Sequence, residues 1–179
     1  MPDRDDLGHA WRVLPSEYLK TRPAVHGVGA PASRYVAMRD GCRLALDVYL
    51  PQMDDSRVRR NDKFPAIVIL TPYYRRFKLS APGADPSPNA AKYRDFFVPR
   101  GYALVVVDAR GCGASFGRRD SFRSPKERDD YREIADWIVA QPWSNGVIGS
   151  TGISYLGAAA CFLASTGHPA VKAIAPLFA

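Results

Sequence analysis

The residues with the clearest potential for chemistry lie in the segment Gly149–Gly157, which contains Ser154 and, two positions before it, Gly152. β-Branched residues precede Ser154 at 147–148, and small apolar residues typical of a buried helix follow it at 158–164. A serine flanked by glycines between a strand and a helix can sit on a sharp turn that exposes its hydroxyl as a nucleophile. The segment therefore predicts Ser154 as the nucleophile of an acyl-transfer reaction.

The glycine before Ser154 and the helix after it have separate physical roles in this interpretation. A side chain at Gly152 would collide with the helix, and glycine avoids that contact. The unpaired N–H groups and the positive dipole end of the helix would face an oxyanion formed at Ser154. The alternative is that Ser154 only caps the helix. It stays open because the strict G-x-S-x-G pattern places its second glycine at Leu156, whereas this chain has it at Gly157.

The net charge of +7 invites comparison with nucleic-acid-binding proteins. The arginines, however, occur as separate pairs on predicted loops, at 59–60, 75–76 and 118–119. The sequence shows no basic helical face and no interleaved aromatic platform. We therefore attribute the charge to solvated loops and predict no nucleic-acid partner.

The remaining patterns indicate neither a metal, nor a cofactor, nor a membrane. The three cysteines, Cys42, Cys112 and Cys161, lack the spacing of metal ligands and are typical of a reducing compartment. The N-terminus has no apolar signal-peptide core, and the longest apolar run, about 157–164, is too short to span a bilayer. We expect a cytoplasmic protein without a metal, a cofactor or a membrane partner.

The glycine-rich segment Asp108–Gly117 follows a predicted strand, as nucleotide-binding loops do. It lacks both G-x-x-x-x-G-K and G-x-G-x-x-G, the spacings with which such loops bind phosphates. We predict instead that Asp108 pairs with Arg110 and holds the loop beneath the active site. Asp129 and Asp130 are interpreted as acids in the first turn of a helix, where they face its dipole.

Strands and helices alternate through most of the chain and predict an α/β fold. The predicted elements are a hairpin at 35–38 and 43–50, strands at 65–70, 102–107, 147–152 and 171–175, and helices at 90–98, from a capping box at 124–127, and after Ser154. This alternation favours βαβ units and a mainly parallel sheet.

The two ends of the sequence differ from this core. Residues 1–30 contain three prolines and little periodicity, which predicts an arm that packs loosely or serves a partner. The last predicted strand, at 171–175, is apolar and has no helix to cover it, and an exposed apolar edge promotes aggregation. We therefore expect residues 1–179 to be the N-terminal part of a longer enzyme.

Several segments between Tyr35 and Ala179 together resemble one group of serine acyl hydrolases. They are Arg39–Leu44 with Asp47–Tyr49 and Pro51, Pro72-Tyr73, Asp108–Gly117, and Trp137–Gly157 with its Gln141–Gly146 run. No single motif is specific, but their combination resembles the cocaine esterase and X-prolyl dipeptidyl aminopeptidase family, which includes α-amino-acid ester hydrolases and glutaryl acylases. A glycine three residues after the serine is that family's form of the turn.

The resemblance implies an α/β-hydrolase fold, of which residues 31–179 are the N-terminal part without the later helical cap, C-terminal half and jelly-roll domain. It implies that Ser154 attacks the acyl carbonyl, while the Tyr155 backbone N–H and the Tyr73 hydroxyl stabilise the oxyanion. Thr71 replaces the asparagine of the family's motif, and the adjacent Tyr74 is an alternative to Tyr73. Without the resemblance, Tyr73 is more simply a core-packing aromatic at a strand end.

The resemblance also bears on the rest of the catalytic machinery and on the substrate. In this fold an acid and then a histidine follow the serine. No Asp or Glu follows Ser154, and His168 lies at the far end of a helix about 20 Å long. We expect the acid and base beyond residue 179, the isolated chain to be inactive, and the whole enzyme to cleave a small ester, amide or short peptide through an acyl-enzyme. The alternative function is a non-catalytic, hydrolase-like interaction module. Homo-oligomer formation is left open.

Overall fold

A computed structural model describes residues 13–52, 62–78, 82–121 and 123–178. The strands are β1 (Gly27–Val28), β2 (Ala32–Ala37), β3 (Arg43–Tyr49), β4 (Pro51–Gln52), β5 (Phe64–Thr71), β6 (Ala103–Asp108), β7 (Ser144–Ile153) and β8 (Val171–Leu177). The helices are α1 (Pro15–Lys20), α2 (Pro88–Phe97), α3 (Pro125–Val139) and α4 (Tyr155–Ser165), and a 3₁₀ turn, Val98–Arg100, follows α2.

Six strands form one mixed sheet in the order β2–β3–β6–β5–β7–β8. β2 and β3 pair antiparallel around a turn at Gly41, which has a φ of 76°, and β3 also runs antiparallel to β6. β6, β5, β7 and β8 are parallel to their neighbours. The predicted hairpin and the predicted α/β fold with a mainly parallel sheet are both confirmed.

The two central strands, β5 and β6, account for much of the core. All six residues of β6 are buried, and so are the last six residues of β5. Strands covered on both faces have continuous apolar runs rather than alternating ones, which is why these two could be recognised in the sequence. β5 also pairs in parallel with β7, so the carboxyl ends of these two strands lie at the same edge of the sheet, where the candidate site lies.

Helices cover both faces of the sheet. α4 packs against β5, β7 and β8, and also against α3. On β7, a side chain at Gly152 would point into α4, whereas Thr151 and Ile153 line a pocket with side chains of α2. Because successive strand residues point to opposite faces, α2 and α4 lie on opposite sides of the sheet.

Residues 13–30, the described part of the predicted arm, are attached to the sheet domain by backbone hydrogen bonds. β1 pairs antiparallel with β4. The N–H groups of Val25 and His26 donate to the Pro99 carbonyl at 2.8 and 3.1 Å. The rest of the predicted arm, residues 1–12, lies outside the described residues.

Candidate active site

Ser154 lies on the turn between β7 and α4 in an unusual backbone conformation. Its φ is 58° and its ψ is −120°, a region that costs a residue with a side chain about 1–3 kcal/mol. Its N–H donates to the Leu177 carbonyl of β8 at 2.9 Å, and its carbonyl accepts from the Ala158 N–H at 3.0 Å. The side chain makes no capping hydrogen bond to α4, and the residue is exposed to solvent. The backbone is therefore held on both sides, while the residue remains exposed and its hydroxyl does not cap the helix.

Two glycines allow α4 to begin this close to the sheet. A Cβ at Gly152 would lie 2.3 Å from the Leu156 Cβ and 2.7 Å from the Leu156 carbonyl carbon. A Cβ at Gly157 would lie 2.9 Å from the Gly152 carbonyl oxygen and 3.0 Å from that of Leu177. Real Cβ atoms do not approach backbone so closely, because close-packed interiors cannot relax around such an overlap. The collision predicted at Gly152 is present, and the glycine at 157 is needed for the same packing.

The two residues predicted to supply the oxyanion donors contact each other through their rings. Tyr155 is the first residue of α4, so its N–H precedes the first hydrogen bond within the helix, from Ala158 to Ser154. The ring of Tyr73, after β5, meets the ring of Tyr155 edge to face, with centroids 6.2 Å apart. Tyr74 instead packs against Phe77, at 5.9 Å between centroids. The geometry thus brings Tyr73 against the residue that follows Ser154.

The backbone of Tyr73 is fixed by side chains on either side of it. Its N–H donates to the Thr71 hydroxyl at 3.0 Å, and its carbonyl accepts from the Asn89 amide at 2.8 Å. Thr71 is buried at the end of β5. Thr71, which replaces the asparagine of the family's motif, therefore has a structural role, because its hydroxyl orients the backbone of Tyr73.

Beneath the turn, the side chain of Tyr155 enters a buried polar cluster that the sequence did not predict. Its hydroxyl donates to Glu127 Oε1 of α3 and accepts from Arg119 Nη2, the latter at 2.5 Å. The Tyr131 hydroxyl donates to the same Glu127 oxygen. Burial, and then the neighbouring carboxylate, raise the pKa of Tyr155 and of Tyr131, so both phenols remain neutral donors.

The capping box predicted at 124–127 is only half formed. The Ser124 hydroxyl accepts from the Glu127 N–H at 3.2 Å, as a helix cap should. The Glu127 carboxylate, however, turns away to the two phenols, and its other oxygen faces Arg119 Nε at 3.8 Å. Tyr131 lies four residues after Glu127 and therefore on the same helix face. This spacing is the feature of the sequence that could have predicted the bond between the two side chains.

The predicted pair of Asp108 and Arg110 is wrong. Asp108 accepts from the backbone N–H groups of Arg75 at 2.7 Å and Ala114 at 3.0 Å, because the loop after β6 folds back over its carboxylate. A Cβ at Gly113 would lie 2.4 Å from that carboxylate, so the loop approaches it too closely for a side chain there. Burial raises the pKa of Asp108, although the two backbone hydrogen bonds act to lower it.

The interpretation of Asp129 and Asp130 as first-turn acids facing the helix dipole is also wrong, because α3 begins at Pro125 and Glu127 is the acid in its first turn. Asp130 is buried, and it accepts from Arg110 Nη2 at 2.6 Å and from Arg110 Nε at 2.8 Å. Arg110 also binds Asp40 in the β2–β3 turn at 2.7 Å. The guanidinium therefore joins α3 to the hairpin, and both of its partners are far from it in sequence. Asp129 remains largely exposed, 3.4 Å from Arg39.

The two histidines among the described residues have other contacts. His168 Nε2 lies 3.0 Å from an Asp136 carboxylate oxygen, and its Nδ1 accepts from the Ala170 N–H at 3.1 Å, beyond the C-terminal end of α4. His26 lies near Gly101. Among the described residues, no group of three or more His, Cys, Asp or Glu side chains could hold a metal ion. In the same ranges, no helix combines the length and the apolar character needed to cross a membrane.

Comparison with known proteins gives the same assignment as the motifs. The family model for X-Pro dipeptidyl-peptidases (S15 family) matches residues 40–179. A Mycobacterium bovis protein provisionally named a serine esterase is 46% identical over 99% of the chain, and the cocaine esterase of a Rhodococcus strain is 35% identical over 80% of it. The chain spans 29% and 22% of the lengths of these two relatives.

Solved structures extend the comparison to the fold. A CocE/NonD family hydrolase from Staphylococcus aureus superposes with a TM-score of 0.63 at 31% identity, covering 83% of this chain and 27% of its own. An α-amino acid ester hydrolase gives a TM-score of 0.63 at 27% identity, covering 87% of this chain and 26% of its own. The family predicted from the motifs is confirmed: the chain belongs to the X-Pro dipeptidyl-peptidase S15 family of serine hydrolases, with the α/β-hydrolase fold.

Proposed function

We propose that Ser154 is the nucleophile of a hydrolase that cleaves acyl esters or amides through a covalent acyl-enzyme. The observation that carries this proposal is the strained, exposed serine whose backbone is held between Leu177 and Ala158 while its hydroxyl makes no capping bond. The Ser154 oxygen adds to the acyl carbonyl and loses its proton to a general base. The alcohol or amine then leaves with a proton, and water releases the acid in a second addition.

Two donors are proposed for the oxyanion that forms in each addition step. One is the backbone N–H of Tyr155 at the start of α4, where the helix has unpaired donors and the positive end of its dipole. The other is the hydroxyl of Tyr73. Its support is the contact of its ring with Tyr155 and the fixed backbone on either side of it. Removing one such donor from a serine hydrolase typically lowers turnover about 10²- to 10³-fold.

The general base and its acid are proposed to come from polypeptide outside residues 1–179. Both nitrogens of His168 are engaged at the other end of α4. In this fold the acid and the histidine follow the nucleophile in sequence. The relatives are several times longer than the chain, which spans 29% of one and 22% of another. We accordingly expect residues 1–179 alone to turn over no ester.

The proposed substrates are small acyl esters, amides and short peptides. The relatives support this range, since they carry the names cocaine esterase and Xaa-Pro dipeptidyl-peptidase. In the first case the leaving group is an alcohol, and in the second it is an amine. The same attack by Ser154 serves both, because only the leaving atom and its protonation differ.

The test uses the complete polypeptide encoded by the gene, assayed with p-nitrophenyl acetate and an Xaa-Pro p-nitroanilide. Ser154→Ala should lower kcat by about 10⁴- to 10⁶-fold, as loss of a triad member does. Ser165→Ala is the matched control, because it removes an exposed serine at the C-terminal end of the same helix, α4, and it should retain turnover. Substantial turnover by Ser154→Ala would refute the assignment of the nucleophile. Ester turnover by residues 1–179 alone would refute the proposed origin of the base.

A further inference from the structure

In the buried cluster beneath Ser154, two charged side chains hold the side chain of Tyr155. We call Arg119, Glu127 and Tyr155 the tyrosine clamp. The Tyr155 hydroxyl lies between the Glu127 carboxylate and the Arg119 guanidinium, which also lies over the Tyr155 ring at 4.8 Å from its centroid. A ring held at its tip and over its face has little freedom to rotate. The clamp therefore fixes the orientation of the first side chain of α4.

Tyr155 is also the structural link between the two proposed oxyanion donors. Its own N–H is one donor, and its ring is the surface on which the Tyr73 ring rests, edge to face. Edge-to-face contacts have a preferred geometry, so movement of one ring changes the position of the other. A displacement of about 1 Å at a catalytic group can cost on the order of 10²-fold in rate. The position of the Tyr155 ring thus bears on both donors together.

The composition of the clamp is difficult to explain by stability alone. Glu127 is only 3% exposed, and one of its carboxylate oxygens is buried without a hydrogen bond. Burying a charged group is costly, and apolar side chains of similar volume often stabilise a core at least as well. Hydrogen bonds to charged groups are strong and directional, however, and hold a side chain in one orientation better than apolar packing does. This favours a role in geometry.

We propose that Arg119 and Glu127 are positioning residues for the reaction at Ser154, and that they act by holding Tyr155 so that its backbone N–H and the Tyr73 hydroxyl face the developing oxyanion. This inference rests on the proposed function of Ser154. In this inference, Arg119 and Glu127 contribute to stabilising the transition state and do not contribute to binding the substrate. Tyr93 of α2 supplies the control, because its buried hydroxyl has no hydrogen-bond partner among the described residues and it lies on the opposite face of the sheet from α4.

The experiment compares Tyr155→Phe, Glu127→Gln and Tyr93→Phe in the complete polypeptide encoded by the gene. The readouts are kcat and KM for p-nitrophenyl acetate, the inhibition constant of a trifluoromethyl ketone that forms a tetrahedral oxyanion adduct, and the midpoint of thermal unfolding. Tyr155→Phe and Glu127→Gln should lower kcat by about 10- to 100-fold with KM nearly unchanged. The ketone should bind more weakly by the same factor as the loss in kcat/KM. Tyr93→Phe should leave kcat within about twofold.

Three results would overturn the inference. They are an unchanged kcat in Tyr155→Phe, an equal loss in Tyr93→Phe, and a fall in kcat without weaker binding of the ketone. Should Tyr155→Phe fail to fold, Arg119→Lys at a partly exposed position supplies the same readouts, since lysine keeps the charge but loses the planar donor geometry. A wild-type polypeptide without Ser154-dependent turnover would instead remove the proposed function, and this inference with it.

Discussion

Among the described residues, Ser87, Ser124 and Ser154 each stand immediately before a helix. The surroundings of Ser124 and Ser154 differ in backbone conformation, hydrogen bonding and burial. Ser124 precedes α3 with an extended backbone, a φ of −70° and a ψ of 157°, and its hydroxyl accepts from the Glu127 N–H. Ser154 precedes α4 with a φ of 58°, its hydroxyl makes no capping bond, and the residue is exposed. Ser124 is buried at 8% exposure. The same residue type thus ends one loop in a relaxed conformation and another in a strained one.

The comparison separates a residue that stabilises a helix from the residue that we propose as the nucleophile. A capping hydroxyl is satisfied by the helix it precedes and is worth about 1 kcal/mol. A hydroxyl on a strained turn contributes nothing of that kind, and strain of this sort persists only where the surrounding structure enforces it. At Ser154, the packing of Gly152 against Leu156 and the bond to Leu177 do so. The capping alternative for Ser154 is therefore disfavoured by geometry.

The largest effect on stability is expected from the packing that enforces the turn. Gly152→Ala places a Cβ 2.3 Å from the Leu156 Cβ, and we expect a loss of about 3 kcal/mol in the free energy of unfolding, since overpacking at a backbone contact has no room to relax. The measurement is the midpoint of urea unfolding. Gly29→Ala is the control, because its Cβ would meet ordinary contacts at 3.4 Å. Equal losses in the two variants would mean that the turn is not sterically enforced.

A smaller effect of opposite sign should distinguish the two serines themselves. Ser124→Ala removes a capping bond and should lower the free energy of unfolding by about 1 kcal/mol. Ser154→Gly relieves the strain of the positive φ. The greater flexibility of glycine in the unfolded chain offsets part of this gain, so the free energy of unfolding should rise by about 1 kcal/mol. Urea unfolding of the two variants checks both signs. A loss in Ser154→Gly as large as that in Ser124→Ala would make Ser154 a cap after all.

The smallest effect concerns pH and the ionic anchoring of α3. Hydrogen bonding to Arg110 lowers the pKa of Asp40 to about 2. A carboxyl whose pKa is lower in the folded protein than in the unfolded chain stabilises the fold at any pH above its unfolded-state pKa. This stabilisation is lost as the pH falls through the folded-state pKa. We expect wild type to lose stability relative to Asp40→Asn between about pH 4 and pH 2. Thermal unfolding midpoints across that range provide the test, and parallel curves for the two proteins would argue against it.

The sequence predicted those parts of the fold that depend on local pattern and burial. The apolar runs of β5 and β6 mark strands covered on both faces, and Gly41 marks the turn of the hairpin. Ser154 and Gly152 could be recognised because a tight turn constrains residue types only two positions apart. The family followed from the combination of such segments, and the comparisons confirm it.

What the sequence did not predict are contacts between distant residues whose side chains have several acceptable partners. Asp108 binds the backbone of Arg75, 33 positions away, although Arg110 is nearer in sequence. Glu127 had a plausible local partner in the cap at Ser124, yet its carboxylate bonds to Tyr155, 28 positions later. The order of charged residues along the sequence does not show which of several possible partners a side chain will bind. Burial in the folded protein decides this.

The central claim is that the Ser154 hydroxyl is the reactive one, and covalent labelling tests it most directly. The complete polypeptide encoded by the gene would be treated with a fluorophosphonate and digested, and the modified peptide would be identified by mass spectrometry. We predict a single adduct on Ser154 that is absent from Ser154→Ala and present in Ser124→Ala. An adduct on another residue, or unchanged labelling of Ser154→Ala, would contradict the account.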